Sequence, residues 1–446
     1  MWAVEKDPAL RSDFCNLSVL DTPPDPDRLR EKIEDALIGI PRLAQRVVSA
    51  PLRLAPPEWV DDPGLDLEYH LRHVALREPG DTRALLDLCA DLAESPFDRS
   101  RPLWEFTIIE GLDDGRVAML QKLHHTITDG VGGLKLSLAL VDFEPDPERQ
   151  EAAAREASVG GSSSPLGVAR SAVVDAATRQ LHLAKQTVGS AARLATHPLQ
   201  VPGAIGDAAR LAGSVRRQVL VTEAAHSDLL AERSLRRHFE LLAVPLPAMR
   251  EAARAFGGSI NDAFVTAIAG ALGSYHARSA SDTADLRMAM PVSTRERGDH
   301  GANRFAPLRI MVPIAPPEVL PRFATTRAAL DAAKHERALG SIDRLAGFAS
   351  GLPTSLLVAF TRAQARTIDF ATSNLRGSPV PLYLAGARIR ANWPLGPRTG
   401  CALNVTMMSY CDECHLGFNV DPAAVTDIDA FMDCVRDSFD SLFAAA

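Results

Sequence analysis

The chain of 446 residues contains only six cysteines, and they are scattered along it. No disulfide framework is expected, and a reducing compartment is the simpler assumption. Long apolar runs are equally scarce. The best of them, Ala263–Gly273, falls well short of the roughly 20 residues that span a bilayer, so no transmembrane helix is expected. The first residues, Met1–Arg11, are charged and lack the apolar centre of a secretory signal. Export by that route is not expected, and the cytoplasm fits. Basic blocks interleaved with aromatics are missing too: aromatic residues make up 5% of the chain and the net charge is -8. That argues against nucleic acid as the main partner.

What is present is the composition of a folded protein, 46% hydrophobic and 23% charged. The length exceeds what one hydrophobic core organises, so two domains are the default. From about residue 10 to 145, short strands and helices alternate. Strands are expected at Asn16–Leu20, Leu67–Leu71, Pro102–Ile109 and Arg116–Leu123, and helices at Pro26–Ile40 and Thr82–Ala93. The class is α/β or α+β. Beyond Asp142, Pro145 and Pro147 lead into Ser158–Pro165, a Gly/Ser-rich boundary. Residues 166–218 read as basic, alanine-rich amphipathic helices, with packing on the protein favoured over a membrane surface. A second series starts near 232, with a strand at Arg236–Leu242 and helices at Pro247–Phe256 and from Ser259 onward. The expected division is therefore 1–145, a linker 146–231, and 232–446.

The most informative stretch is His124-His125-Thr126-Ile127-Thr128-Asp129-Gly130. A hydroxyl attacking a thioester needs a base that titrates near neutrality, and histidine does so at about 6.5. A fixed H-H-x-x-x-D-G pattern arises by chance in on the order of one chain per thousand of this length, so it carries information. Its flanks read as a strand before it and a helix, Val131–Leu140, after it. The histidines are thus expected on a strand-to-helix loop, where catalytic groups are commonly held, with Gly130 permitting close backbone approach. Buried, hydrogen-bonded core histidines are the alternative reading.

Two other features have ordinary explanations at this level. Ser259-Ile260-Asn261-Asp262 opens a helix and fits a simple N-cap. Cys411-Asp-Glu-Cys414-His415 matches the haem-attachment pattern C-x-x-C-H. No third and fourth zinc ligand at readable spacing accompanies it, and the surroundings read as two strands, Val405–Tyr410 and His415–Val420, around an Asp412-Glu413 turn. No metal is expected.

Taken together, Pro102-Leu103-Trp104, the HHxxxDG segment and Asn261-Asp262, in this order, resemble the bacterial wax ester synthase/acyl-CoA:diacylglycerol acyltransferase family. That family lies within the superfamily of chloramphenicol acetyltransferase-like and condensation domains. Met290–Arg295 and Ser373–Gly377 look like further family segments, and the resemblance covers nearly the whole chain. It departs at Ser12–Asn16, where the family has Pro-Met-His, and at Leu375–Pro379, where it has Val-Pro-Gly-Pro. Both departures bear on the substrate pockets.

The resemblance implies an α/β fold of two chloramphenicol acetyltransferase-like subdomains, with mixed sheets flanked by helices and an active-site tunnel at their interface. It implies His125 as general base, with His124 supporting it. Asp129 and Gly130 hold the loop, and Arg295 is the candidate ion-pair partner of Asp129. Asn261, Asp262 and Trp104 are assigned to substrate binding, although a packing role is weighed at least equally for Asn261 and Trp104. The substrates implied are acyl-CoA and a diacylglycerol or long-chain alcohol, with no cofactor beyond acyl-CoA. Peripheral contact with a membrane or lipid droplet stays open. Two other readings are retained: a related acyltransferase using a carrier-protein-bound donor, and a non-catalytic lipid-binding protein of the same fold.

Overall fold

The computed structural model of the chain describes residues 2, 4–49, 57–127, 136, 139–147, 227–293, 305–334 and 354–446. The Ser158–Pro165 boundary, the expected helices of 166–218, the Thr128–Gly130 end of the motif and Arg295 lie outside these residues.

The described chain builds two six-stranded mixed sheets. In the first half come β1 (Asp13–Leu20), α1 (Pro26–Gly39), β2 (Gln45–Val48) and β3 (Glu58–Asp61). These are followed by α2 (Leu67–His70), β4 (Leu71–Ala75), α3 (Thr82–Glu94), β5 (Trp104–Glu110) and β6 (Val117–His124). The second half holds β7 (His238–Pro245), α4 (Leu246–Ala255), α5 (Ile260–Arg278), β8 (Asp285–Ser293), β9 (Phe305–Pro313), α6 (Val319–Lys334) and α7 (Thr354–Arg366). After them come β10 (Phe370–Arg376), β11 (Tyr383–Leu384), β12 (Ala387–Leu395), β13 (Leu403–Tyr410), β14 (Glu413–Val420) and α8 (Ile428–Ala444).

The first sheet runs β11-β12-β1-β6-β5-β4 and the second β7-β14-β13-β10-β8-β9. Each mixes parallel and antiparallel neighbours: β4 with β5, and β10 with both β8 and β13, are the parallel pairs. This is the mixed α/β architecture with two subdomains that the sequence implied.

Two expectations are corrected. The stretch Leu67–Leu71 is not a strand throughout: Asp66 accepts the Glu68 backbone N–H and starts a helical turn, so β4 begins only at Leu71. A side-chain cap there outweighs the strand-like composition. The halves also do not divide cleanly at 232. Strands β11 and β12, from the segment assigned to the second half, complete the first sheet, where β12 pairs antiparallel with β1. Behind it, β12 lies so close to β14 that a Cβ on Gly417 would sit 2.0 Å from the Pro394 carbonyl oxygen, a separation only glycine permits.

Helix α5 is apolar on all sides and buried from Asp262 to Leu272, at the centre of the second core. No single described helix is long and apolar enough to cross a membrane, and the α4–α5 pair, which together reaches such a length, is bent by 94°. The Val405–Tyr410 and His415–Val420 strands form as β13 and β14, joined by a turn with Cys411 in the left-handed region at φ 52°.

Candidate active site

Strand β6 is buried along its whole length and held on both sides, by β1 and β5. It ends at His124, whose register partner on β1 is Asp13 and whose backbone N–H donates to the Leu103 carbonyl at 3.1 Å. The chain then turns. The His125 N–H donates to the Ser12 carbonyl at 3.3 Å, and the Ile127 N–H to the His124 carbonyl at 2.9 Å. The first four motif positions are therefore fixed at a sheet end, with His124 closing the strand and His125 opening the turn.

The two rings have different surroundings. His124 is buried, and both of its ring nitrogens are engaged. Nδ1 accepts the Thr126 backbone N–H at 3.1 Å and lies 2.7 Å from the Thr126 hydroxyl. An accepting Nδ1 places the proton of the neutral ring on Nε2, which donates to the Glu5 carboxylate. The Phe97 and Trp2 rings stand edge-on to it.

Glu5 is itself buried, accepts the Ser12 hydroxyl, and faces Arg99 at 3.5 Å. Burial alone would raise its carboxyl. The hydrogen bonds from the His124 ring and the Ser12 hydroxyl outweigh burial and hold it below the ordinary carboxylate range. His125, partly exposed, packs its ring against Phe14, with centroids 4.8 Å apart. The Ser12–Asn16 segment, where the sequence departs from the family pattern, thus lies directly against both histidines.

Sequence reasoning missed Glu5, Ser12 as its hydrogen-bond donor, and Arg99. Glu5 stands 119 residues from His124 in a three-residue 3-10 turn, and no periodicity marks it.

The remaining candidates fall elsewhere. Asp262 sits at the start of α5 in a capping box: the Ser259 side chain accepts its N–H, and its Oδ2 accepts the Ser259 N–H at 2.8 Å. Its Oδ1 is buried with no hydrogen-bond partner among the described residues. Asn261 points its amide at the Met290 sulfur, 3.7 Å away on β8. Trp104 has no exposed surface at all. Its indole N–H donates to the Leu43 carbonyl at 2.8 Å and its ring stacks on His70, within the core of the first half.

In the C-x-x-C-H segment, Cys414 and His415 are consecutive on β14 and point to opposite faces of the sheet. His415 Nδ1 accepts the Asn392 N–H at 3.2 Å and Nε2 lies 3.0 Å from Glu413, so this ring is also engaged by protein groups.

Family models match both halves of the chain. The model for the wax ester synthase/diacylglycerol acyltransferase catalytic domain matches residues 8–264, and that for the WS/DGAT C-terminal domain matches residues 301–443. The chain is 34% identical to a putative diacylglycerol O-acyltransferase of Mycobacterium tuberculosis, over 99% of its own length and 90% of the relative's. Among solved structures it resembles the wax ester synthase/diacylglycerol acyltransferase from Marinobacter aquaeolei VT8. The TM-score is 0.61 at 22% identity, with 97% of this chain and 94% of that one covered. A variant of the starter condensation domain of rhizomide synthetase, in complex with C8-CoA, shares the fold at TM-score 0.57 and 14% identity, covering 99% and 92%. The chain belongs to the wax ester synthase/diacylglycerol acyltransferase family.

Proposed function

We propose that this acyltransferase takes its acyl group from acyl-CoA, passes it to the hydroxyl of a diacylglycerol or long-chain alcohol, and uses His125 as the general base. The observation that carries the base assignment is the engagement of His124 at both ring nitrogens by Thr126 and Glu5. A ring so held is part of the turn's scaffold, and the base role is assigned to its neighbour. His125 follows directly, in a turn pinned to Ser12 at the end of a rigid sheet.

In the proposed reaction, His125 removes the proton from the acceptor hydroxyl as its oxygen forms a bond to the thioester carbonyl carbon. The carbon–sulfur bond then breaks and the proton passes to the departing thiolate, giving an ester and free CoA. A thiolate leaves without metal assistance, and hydrogen-bond donors suffice for the oxyanion, so the scheme calls for no cofactor beyond acyl-CoA. Support for the donor comes from the fold, which in the rhizomide synthetase domain accommodates C8-CoA. Support for the acceptor comes from the family membership.

The test is thiol release from palmitoyl-CoA by purified protein against a panel of long-chain alcohols and diacylglycerols. His125→Ala is expected to lose turnover by at least about a hundredfold, the contribution of a positioned general base, while keeping the wild-type melting transition. A folded His125→Ala variant that still releases CoA would remove His125 from this role.

A further inference from the structure

The N-terminal segment, the end of α3, the segment before β7, the end of α7 and the β12–β13 connection line a cavity of about 460 Å³. That is within the size range of small-molecule sites, about 300–1,000 Å³. Six guanidinium groups line it, from Arg11, Arg233, Arg237, Arg362, Arg366 and Arg398, against three carboxylates, Asp7, Glu94 and Asp421. This local excess of positive charge stands in a chain whose net charge is -8.

The carboxylates are already committed. Asp7 faces Arg362 at 3.2 Å, Asp421 faces Arg398 at 2.5 Å, and Glu94 accepts the Arg237 backbone N–H at 2.5 Å. Arg366 has no hydrogen bond or ion pair among the described residues. Arg398 is more than nine-tenths buried, and its Nε has no hydrogen-bond acceptor among the described residues. Burial lowers the affinity of Arg233 and Arg398 for their protons, and the charges of neighbouring Arg366 and Arg237 respectively act in the same direction. Cations crowded in this way, with a buried donor unmet, form a stable arrangement with an anion between them.

Two of the lining arginines connect to the histidine turn through the start of β1. Arg11 immediately precedes Ser12, whose carbonyl accepts the His125 N–H, and the Arg237 side chain pairs at 2.9 Å with Asp13, the register partner of His124.

We infer that this cavity binds phosphate groups, those of the nucleotide portion of the acyl donor. The inference rests on the acyl-CoA reading above. Guanidinium groups grip phosphate through paired, charge-assisted hydrogen bonds, and both halves of the molecule contribute them here.

The experiment compares thiol release from palmitoyl-CoA with release from palmitoyl-pantetheine, which lacks the nucleotide, in wild type, Arg366→Gln and Arg362→Gln/Arg366→Gln. In parallel, 3′,5′-ADP is titrated into each protein by calorimetry. Wild type is expected to show a lower KM for palmitoyl-CoA. Arg366→Gln should raise that KM about tenfold, the effect of one charge-assisted hydrogen bond, and the double variant should bring the two donors' KM values close together. Binding of 3′,5′-ADP should weaken in the same order and with added salt. Arg366 is exposed, so its loss leaves no buried charge behind. Equal KM values for the two donors in wild type, or KM shifts that affect both donors alike, overturn the inference. If neither donor releases thiol, the acyl-CoA reading fails on its own. The titration then decides the cavity: 3′,5′-ADP binding that is lost in the double variant upholds it, and absence of binding to wild type overturns it.

Discussion

Adjacent histidines offer two candidate bases, and the company each ring keeps separates them. His124 is held from three directions: by Thr126 in its own turn, by the Leu103 carbonyl just before β5, and by Glu5 from the far N-terminus. Glu5 is therefore a positioning residue. Removing its carboxylate leaves a buried His124 donor and the Ser12 hydroxyl without their acceptor. Glu5→Ala is expected to lower unfolding free energy by about 1.5–3 kcal/mol in urea titrations, the range for a hydrogen bond to a charged group. Thiol release per folded molecule should also fall, and Glu5→Gln, which keeps one acceptor oxygen, should recover part of both losses. Wild-type stability and turnover in Glu5→Ala would mean that His124 is held without it. The sequence showed the histidine pair because the whole motif is local. Glu5 was invisible because its partnership exists only after β1 and β6 pair.

Elements were legible where periodicity or a cap is self-contained. The β6 strand, α1, α3 and the two strands around Cys411 stand where their patterns place them, whereas Leu67–Leu71 was misread because one Asp66 cap redirects four residues. The Asn261-Asp262 pair shows the same competition at the start of α5. Its capping box accounts for Asp262 through local hydrogen bonding, without reference to substrate. Ser259→Ala removes the acceptor of the Asp262 N–H and one donor to its carboxylate, and is expected to cost about 1 kcal/mol in thermal or urea unfolding, with thiol release per folded molecule unchanged. A raised KM for the alcohol or diacylglycerol with stability intact would instead tie this helix terminus to substrate binding.

At the scale of the whole molecule, the two halves are interlocked in a way that no contiguous reading of the chain reveals. β12 is contributed to the first sheet by the second half, α3 reaches β7 through Arg83 and Glu240 at 2.6 Å, and Asp13 pairs with Arg237. Strand donation is a non-local pairing, and a Gly/Ser-rich boundary in sequence carries no trace of it. Such interlocking favours unfolding as one unit, and makes stability a property to which buried groups in both halves contribute. His70 in the first half and His276 in the second are almost wholly buried. Their Nδ1 atoms donate to the carbonyls of Trp104 and Leu272, each at 2.7 Å. Burial is the main cause that depresses both pKa values below the ordinary 6.5, so both rings stay neutral in the fold while the unfolded chain takes up their protons. The unfolded state therefore binds more protons as pH falls below about 6.5, and stability declines with it, each ring adding a slope of at most about 1.4 kcal/mol per pH unit. Glu5 acts later: its depressed pKa stabilises the fold above the ordinary 4.5, and that contribution is lost only as pH falls through the folded value. Melting temperature should hence begin to fall below pH 6.5, well before carboxylates titrate. In His70→Gln/His276→Gln this first phase should flatten while the later one persists, and an unchanged decline between pH 6.5 and 5 in that variant would place its origin in other groups.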